Sequence, residues 1–321
     1  IIEQTPYKGI TRVIPGWEYT NGIVSQPIDM VWNWIKPDQC TYAEATEEFD
    51  MLWKQTIKTM TPACDSGLTY SGGLDSSLIL NSIDDLKLYA VNNTGKDPIV
   101  DNIDKFLTTQ ERKRLTVQSV SKKQWHKEYV EMLYRTRMPA GSWSFVGQWI
   151  VSKMCKERVL FTGVGADELF GGYDLYQTLS FNNDSPYSSG SPLRKWCMDS
   201  YNNHTGQATL LADYWHQVSG VDCRAIDTIG GAFGIESRNP FIAKPIMQFA
   251  LNLPFEYKVS TVSKPIIRDQ FLKRWTEDLI YTKKGFTGHA NDSFPNFKKT
   301  KDRMADWKTI AQESFYEGRH I

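Results

Sequence analysis

This sequence has no excess of either charge. It carries 37 Lys plus Arg against 37 Asp plus Glu in 321 residues, so the net charge is zero with histidine neutral. A nucleic-acid binder working mainly by phosphate neutralisation needs a basic excess, so no nucleic-acid partner is expected. No apolar run reaches the roughly 20 residues that span a bilayer, so no membrane partner is expected either. The opening Ile1-Ile2-Glu3-Gln4 lacks the basic and apolar regions of a secretory leader. The five cysteines (Cys40, Cys64, Cys155, Cys197 and Cys223) form no C-x-x-C pair. That argues against a disulfide scaffold or thiolate zinc site and points to a reducing, cytoplasmic setting. The five histidines share no metal spacing, and no H-E-x-x-H occurs. Neither G-x-x-x-x-G-K-[ST] nor a strand-borne G-x-G-x-x-G is present, which removes Walker-type phosphoryl transfer and dinucleotide redox chemistry.

What the chain does have is core-forming material. Hydrophobic residues make up 40%, with 11 Trp, 15 Tyr and 15 Phe, enough to rule out global disorder. Scattered tryptophans of this kind fill cores more often than they stack on bases. Residues 1–40, punctuated by Pro6, Gly9, Pro15, Gly16, Gly22, Pro27 and Pro37, read as the exit from a β-rich segment followed by a connector. Thr41 is a helix N-cap with Glu44 three residues on. Tyr42, Ala45, Phe49, Leu52, Trp53, Ile57 and Met60 then recur at helical spacing. Strand signals at 68–70, 88–91, 115–120 and 159–162 alternate with helix signals at 76–83, 101–112, 122–135 and 145–156. That alternation predicts an α/β fold, a parallel sheet wrapped by helices. The polar stretch 182–192 reads as a loop. Beyond it the pattern is mainly helical, at 193–201, 207–218, 244–251 and 264–275. The expected division is a connector over 1–40, an α/β core over 41–180 and a helical part over 181–321.

The first chemical motif follows the first core strand: Ser71-Gly72-Gly73-Leu74-Asp75-Ser76-Ser77. Two glycines let the backbone turn tightly and come close to an anion. The amides opening the next helix face outward with the positive end of its dipole, so a phosphate fits there. Asp75 repels phosphate directly and makes sense as a Mg²⁺ ligand shared with it. A second motif, Gly163-Val164-Gly165-Ala166-Asp167-Glu168-Leu169-Phe170-Gly171-Gly172-Tyr173, follows the strand at 159–162. Asp167 there is placed to complete the Mg²⁺ site with Asp75. A plainer reading makes Asp167 and Glu168 helix-start residues favoured by the dipole.

The first string resembles the pyrophosphate loop of the N-type ATP pyrophosphatases. The second closely resembles the G-x-G-[AS]-D-E-[LIV]-F-G-G-Y signature of asparagine synthetases and their β-lactam-forming and lasso-peptide-cyclising relatives. Further strings match in order: Asp227 with Gly234-Ile235-Glu236-Ser237-Arg238-Asn239-Pro240-Phe241, Lys264-Pro265-Ile266-Ile267-Arg268, and Lys283-Lys284-Gly285-Phe286. Gly9-Ile10-Thr11-Arg12-Val13-Ile14-Pro15-Gly16 resembles the last strand of that family's glutaminase domain, so residues 1–40 are expected to include its remnant.

The resemblance implies an adenine nucleotide alpha hydrolase-like fold, ATP and Mg²⁺ as cofactors, and an amide ligase that adenylates a small-molecule or peptide carboxylate. It implies ammonia or an amine as nucleophile and a separate glutaminase domain or subunit as partner. It places adenine contacts at Thr69, Val91, Thr162 and Gly163, pyrophosphate and Mg²⁺ at Ser71, Gly72, Gly73, Asp75 and Ser76, and a transition-state cation at Lys283.

Three departures bear on the product. Val164 replaces the glutamate or tyrosine usual between the glycines of the second motif. Glu236 is then either the surviving base or the ion-pair partner of Arg238. The family's P-F-[LI]-D ends here in Ala243, and the N-terminal cysteine that attacks glutamine is expected to be missing. Two alternatives stand beside an asparagine synthetase-like ligase: a peptide- or lactam-cyclising ligase, and a catalytically silent nucleotide-binding partner subunit.

Overall fold

Thr41 and Glu44 close a reciprocal cap. The Thr41 backbone N–H donates to Glu44 Oε2 at 2.8 Å, and the Glu44 N–H donates to the Thr41 hydroxyl at 3.3 Å. Helix α1, Tyr42–Met60, starts there and buries Ala45, Phe49, Trp53, Thr56 and Ile57 on one face; of the stripe its spacing predicts, Tyr42, Leu52 and Met60 are half-buried and Thr56 is an addition. In this computed structural model the described residues are 2–4, 9–13, 18–25, 40–92, 107–138, 144–177, 197–199, 201 and 205–280.

Ahead of α1 lie two antiparallel ribbons, β1 (Ile2–Gln4) with β2 (Thr11–Val13) and β3 (Glu18–Thr20) with β4 (Ile23–Ser25). The chain then alternates. β5 (Ser66–Thr69), α2 (Leu74–Leu80), β6 (Lys87–Asn92), α3 (Thr109–Lys113) and β7 (Leu115–Ser119) come first. α4 (Lys122–Thr136), α5 (Ser144–Met154) and β8 (Val159–Phe161) follow. Next are α6 (Ala166–Phe170), α7 (Asp174–Gln177) and α8 (Thr205–Asp213). A π-helix (Tyr214–Asp222) runs from α8 into α9 (Cys223–Gly231). β9 (Glu236–Arg238), α10 (Lys244–Asn252) and α11 (Pro265–Leu272) complete the order, with short 3₁₀ turns at Pro240–Ile242, Phe255–Tyr257 and Glu277–Leu279.

Two compact units interleave along this order. One comprises the described parts of Thr61–Thr162, Ala225–Arg238 and Arg274–Ile321. It holds the five-stranded parallel sheet in the order β7-β6-β5-β8-β9. The inner strands are buried along nearly their whole length, whereas β7 and β9 at the edges are half-exposed. That is the pattern of a parallel sheet covered on both faces. Trp125, Tyr129, Met132 and Leu133 of α4 and Val146, Trp149, Ile150 and Val151 of α5 are buried in this unit. Arg274 forks onto Glu111 with both contacts at 2.8 Å.

The other unit comprises the described parts of Ile1–Met60, Gly163–Arg224 and Asn239–Lys273. Its aromatic core joins Phe49 of α1 to Phe170 and Phe249 at 5.6 and 5.8 Å, and Trp53 to Phe241 at 4.7 Å between ring centroids.

The predicted α/β class with a parallel sheet is what the structure has. Two elements differ from the periodicity. The helix predicted over 207–218 loosens into the π-helix after Asp213 and continues to Gly231. Glu236–Arg238 supplies a fifth strand. At three residues it is too short to show alternation, and its pairing with β8 supplies the hydrogen bonds that define it. The helix predicted over 101–112 is described only from Thr109, and the predicted loop at 182–192 lies outside the described residues. No described helix is long and apolar enough to cross a membrane.

Candidate active site

The chain leaves β5 toward β6 and β7, then adds β8 and β9 on the opposite side. The carboxyl ends of β5 and β8 therefore border the point where the winding reverses, which is where open α/β sheets form their ligand crevice. The first motif emerges there. Gly72 adopts φ +71°, the left-handed region that a Cβ disfavours. The Gly73 N–H donates to Ser71 Oγ at 3.3 Å, Ser71 Oγ and Ser76 Oγ lie 3.2 Å apart, and Ser76 Oγ donates to Gly73 O at 3.2 Å. Ser71 and Ser76 thus use their hydroxyls on the turn's own backbone and hold its shape. No side chain caps α2 at Gly73. Asp75, in that first turn, is 9% exposed.

The strand-end residues are in the same unit. The Thr69 hydroxyl, at the last position of β5, donates to Gln148 Oε1 of α5 at 3.2 Å. Val91 is buried in β6. The Thr162 N–H donates to Arg238 O at 3.0 Å, tying the exit of β8 to β9. Glu236 Oε1 accepts from Arg238 Nε at 2.9 Å, with 63% of the glutamate side chain exposed. The ion pair read from the sequence is therefore present, on the solvent side of the edge strand.

The second motif belongs to the other unit. Asp167 and Glu168 open α6, as the helix-start reading has it, and both are buried. Asp167 Oδ1 pairs with Lys264 Nζ at 2.7 Å, and the lysine side chain is only 3% exposed. A Cβ at position 172 would collide with both Asp167 Oδ1 and Lys264 Cε, so Gly172 is what lets this pair form. Lys264 itself sits at φ +52°, a conformation uncommon outside glycine.

Further acid groups lie in this unit. The Tyr173 hydroxyl donates to Glu168 Oε1 at 2.5 Å. Burial, then the charges of Glu168 and Asp167, push the Tyr173 phenol far up, so it stays a donor. Asp222, closing the π-helix, accepts from Gln217 at 2.9 Å. Burial first, then the Glu168 charge, raise its carboxyl to about 8. π-Helical turns recur at functional sites, and this one follows the second motif in the same unit.

Of the residues singled out from sequence, Thr69, Ser71, Gly72, Gly73, Asp75, Ser76, Val91, Thr162 and Glu236 fall in the sheet unit, and Gly163 and Asp167 in the other. Lys283, with the rest of its motif, lies outside the described residues. Asp75 and Asp167 are hard oxygen donors. Among the described residues no group of three or more His, Cys, Asp or Glu is arranged to hold a metal. Carboxylate oxygens are the kind of ligand that Mg²⁺ takes.

Two residues escaped the sequence reading. Lys264 appears there only inside a motif, and its pairing with Asp167 depends on tertiary approach. Gln148 had a usable signal, a lone amide in the apolar turn Phe145-Val146-Gly147-Gln148-Trp149-Ile150-Val151.

Comparison with known proteins gives two findings. The family described as Asparagine synthase matches residues 57–317. A protein of Methanocaldococcus jannaschii named "Putative asparagine synthetase (glutamine-hydrolyzing) 1" is 26% identical over 238 residues, covering 70% of this chain and 39% of that protein. The chain thus matches well under half the length of that relative.

Proposed function

Because this chain belongs to the asparagine synthase family, we propose that it is an ATP-dependent, AMP-forming amide ligase. The observation that carries this reading is the glycine turn Ser71–Asp75 at the reversal point of the sheet, its shape held by Ser71 and Ser76. In the reaction, a substrate carboxylate oxygen attacks the α-phosphorus of ATP and pyrophosphate leaves, giving an acyl-adenylate. Ammonia or an amine then attacks the acyl carbon, AMP departs with the C–O electron pair, and the nitrogen loses a proton. Activation is needed because a free carboxylate is a poor electrophile.

In this reading the turn and the start of α2 hold the pyrophosphate oxygens, and Thr69, Val91, Thr162 and Gly163 seat the adenosine. Asp75 and Asp167 would hold Mg²⁺, which would offset phosphate charge. Lys264 neutralises Asp167 before any ligand arrives. Lys283 is assigned by family resemblance to the charge that develops on phosphorus. Glu236 is the candidate proton acceptor, and Glu236→Gln is expected to lower amide formation while leaving adenylation intact. Unchanged amide formation would return Glu236 to its ion pair with Arg238.

Val164, between the motif glycines, has no proton to give or take. It favours a second reading, a lactam- or peptide-cyclising ligase whose substrate carries its own amine. Pyrophosphate–ATP exchange across a panel of carboxylates tests the common step. Exchange with at least one carboxylate, lost in Asp75→Asn, is the expected result. No exchange with any of them would overturn the ligase reading and leave a nucleotide-binding subunit. AMP release without added ammonia selects the cyclising reading.

A further inference from the structure

Among the described residues several buried side-chain polar atoms make no hydrogen bond, and Gln148 Nε2 is one of those at the ligand edge of the sheet. Gln148 is 8% exposed, and its Nε2 makes no hydrogen bond. Its Oε1 accepts from Thr69 at the last position of β5. The residue sits on α5 within Phe145–Val151, where Val146, Trp149, Ile150 and Val151 are all buried, so an apolar side chain would suit the position. A buried amide donor without an acceptor costs about 1–3 kcal/mol. Exchanging the amide O and N does not remove that cost, because the Thr69 hydroxyl can donate or accept. One polar atom of the carboxamide is left over in either orientation.

We propose that Gln148 is a specificity-determining residue that reads the nucleobase, its carboxamide hydrogen-bonding the purine edge beside Thr69. This inference rests on the nucleotide-binding reading above and deepens it. The chemistry suits a purine, because a carboxamide offers one donor and one acceptor in a plane, the complement of an adenine edge. The pair is anchored on two elements of one unit, the end of a central strand and the packed helix α5. Its position is therefore fixed better than a loop would allow. Gln148 has no part in bond breaking and does not contact the glycine turn among the bonds described, so its effect should follow the base and spare the phosphates.

The test compares ATP with inorganic tripolyphosphate, which carries no base, by titration calorimetry on the full chain with Mg²⁺. In Gln148→Leu, ATP affinity is expected to fall about 5- to 10-fold, the worth of one hydrogen bond, with tripolyphosphate affinity unchanged. Equal weakening of both probes, or of neither, would overturn the proposal. A wild-type chain that binds neither probe would overturn the underlying nucleotide reading as well. A wild-type chain that binds both equally would overturn only the base-reading role.

Base analogues supply a second test, begun on the wild-type protein. Among 1-deaza-, 3-deaza- and 7-deaza-ATP, each lacking one ring-nitrogen acceptor, at least one should bind 5- to 10-fold more weakly than ATP if the carboxamide donates to the ring. Gln148→Glu, which exchanges that donor for an acceptor, should show the same selective loss. Deaza analogues that all bind like ATP, together with an unchanged Gln148→Glu, would sink the idea.

Discussion

At the scale of single residues, the interior of the unit that holds the second motif is organised by charge. Asp167 and Lys264 are both buried and in contact, and such a pair owes its persistence to mutual compensation rather than to net stabilisation. Removing the cation alone should be costly. Lys264→Met is expected to lower unfolding free energy by about 3–5 kcal/mol, and adding Asp167→Asn should recover much of it. Urea titrations of the two singles and the double measure that coupling.

Lys258 presents a different case. It is fully buried and donates to Gln207 Oε1 at 2.5 Å and Ala250 O at 2.6 Å, both neutral acceptors. Burial lowers its ammonium from 10.5 to about 7. Between those values the unfolded chain holds a proton that the folded chain has released, so this side chain makes stability rise with pH. Below about pH 7 both states are protonated and the full penalty stands. Unfolding measured from pH 6.5 to 9.5 should show that rise, and Lys258→Met should flatten it. An unchanged slope in the variant would assign the rise to other groups.

Elements are held by two separable means, local caps and tertiary cores. The Thr41–Glu44 box at the start of α1 is solvent-exposed and local. Thr41→Ala should therefore cost only about 1 kcal/mol. Phe49, one turn further on, meets Phe170 and Phe249 and is completely buried. Phe49→Ala should cost about 3–5 kcal/mol. Differential scanning calorimetry on both variants checks the ranking, and equal losses would contradict it.

The Thr41 cap was legible because a capping box is a short-range pattern, and so was the heptad-like stripe of α1. The π-helix at Tyr214–Asp222 was not. It differs from an α-helix by hydrogen-bond register rather than by composition, and register there answers to the surrounding packing.

On the scale of the whole chain, the decisive feature is interleaving. The segment 163–224 leaves the sheet unit after β8 and the chain re-enters it at 225–238 to lay down β9. A fragment ending at residue 162 would lack β9 and expose the edge of β8, whose residues Val159, Leu160 and Phe161 are buried in the intact chain. Open apolar strand edges associate. Fragment 61–162 is therefore expected to elute as aggregates in size-exclusion chromatography, whereas the full chain does not. A monodisperse fragment of monomer size would show that β8 can serve as an edge.

The sequence by itself settled the α/β class, the order of the main strands and helices, and the two glycine-rich turns with their acids. Each of these is written in local periodicity or in a contiguous string. Tertiary structure decided what those strings become. It set β5 at the centre of the sheet, so that the Ser71–Asp75 turn lies where the winding reverses. It supplied Lys264 as the counter-charge of Asp167 and Gln148 as the neighbour of Thr69, and turned Glu236 outward onto Arg238. Those outcomes depend on residues far apart in the chain meeting in space, and one-dimensional spacing carries no record of such meetings.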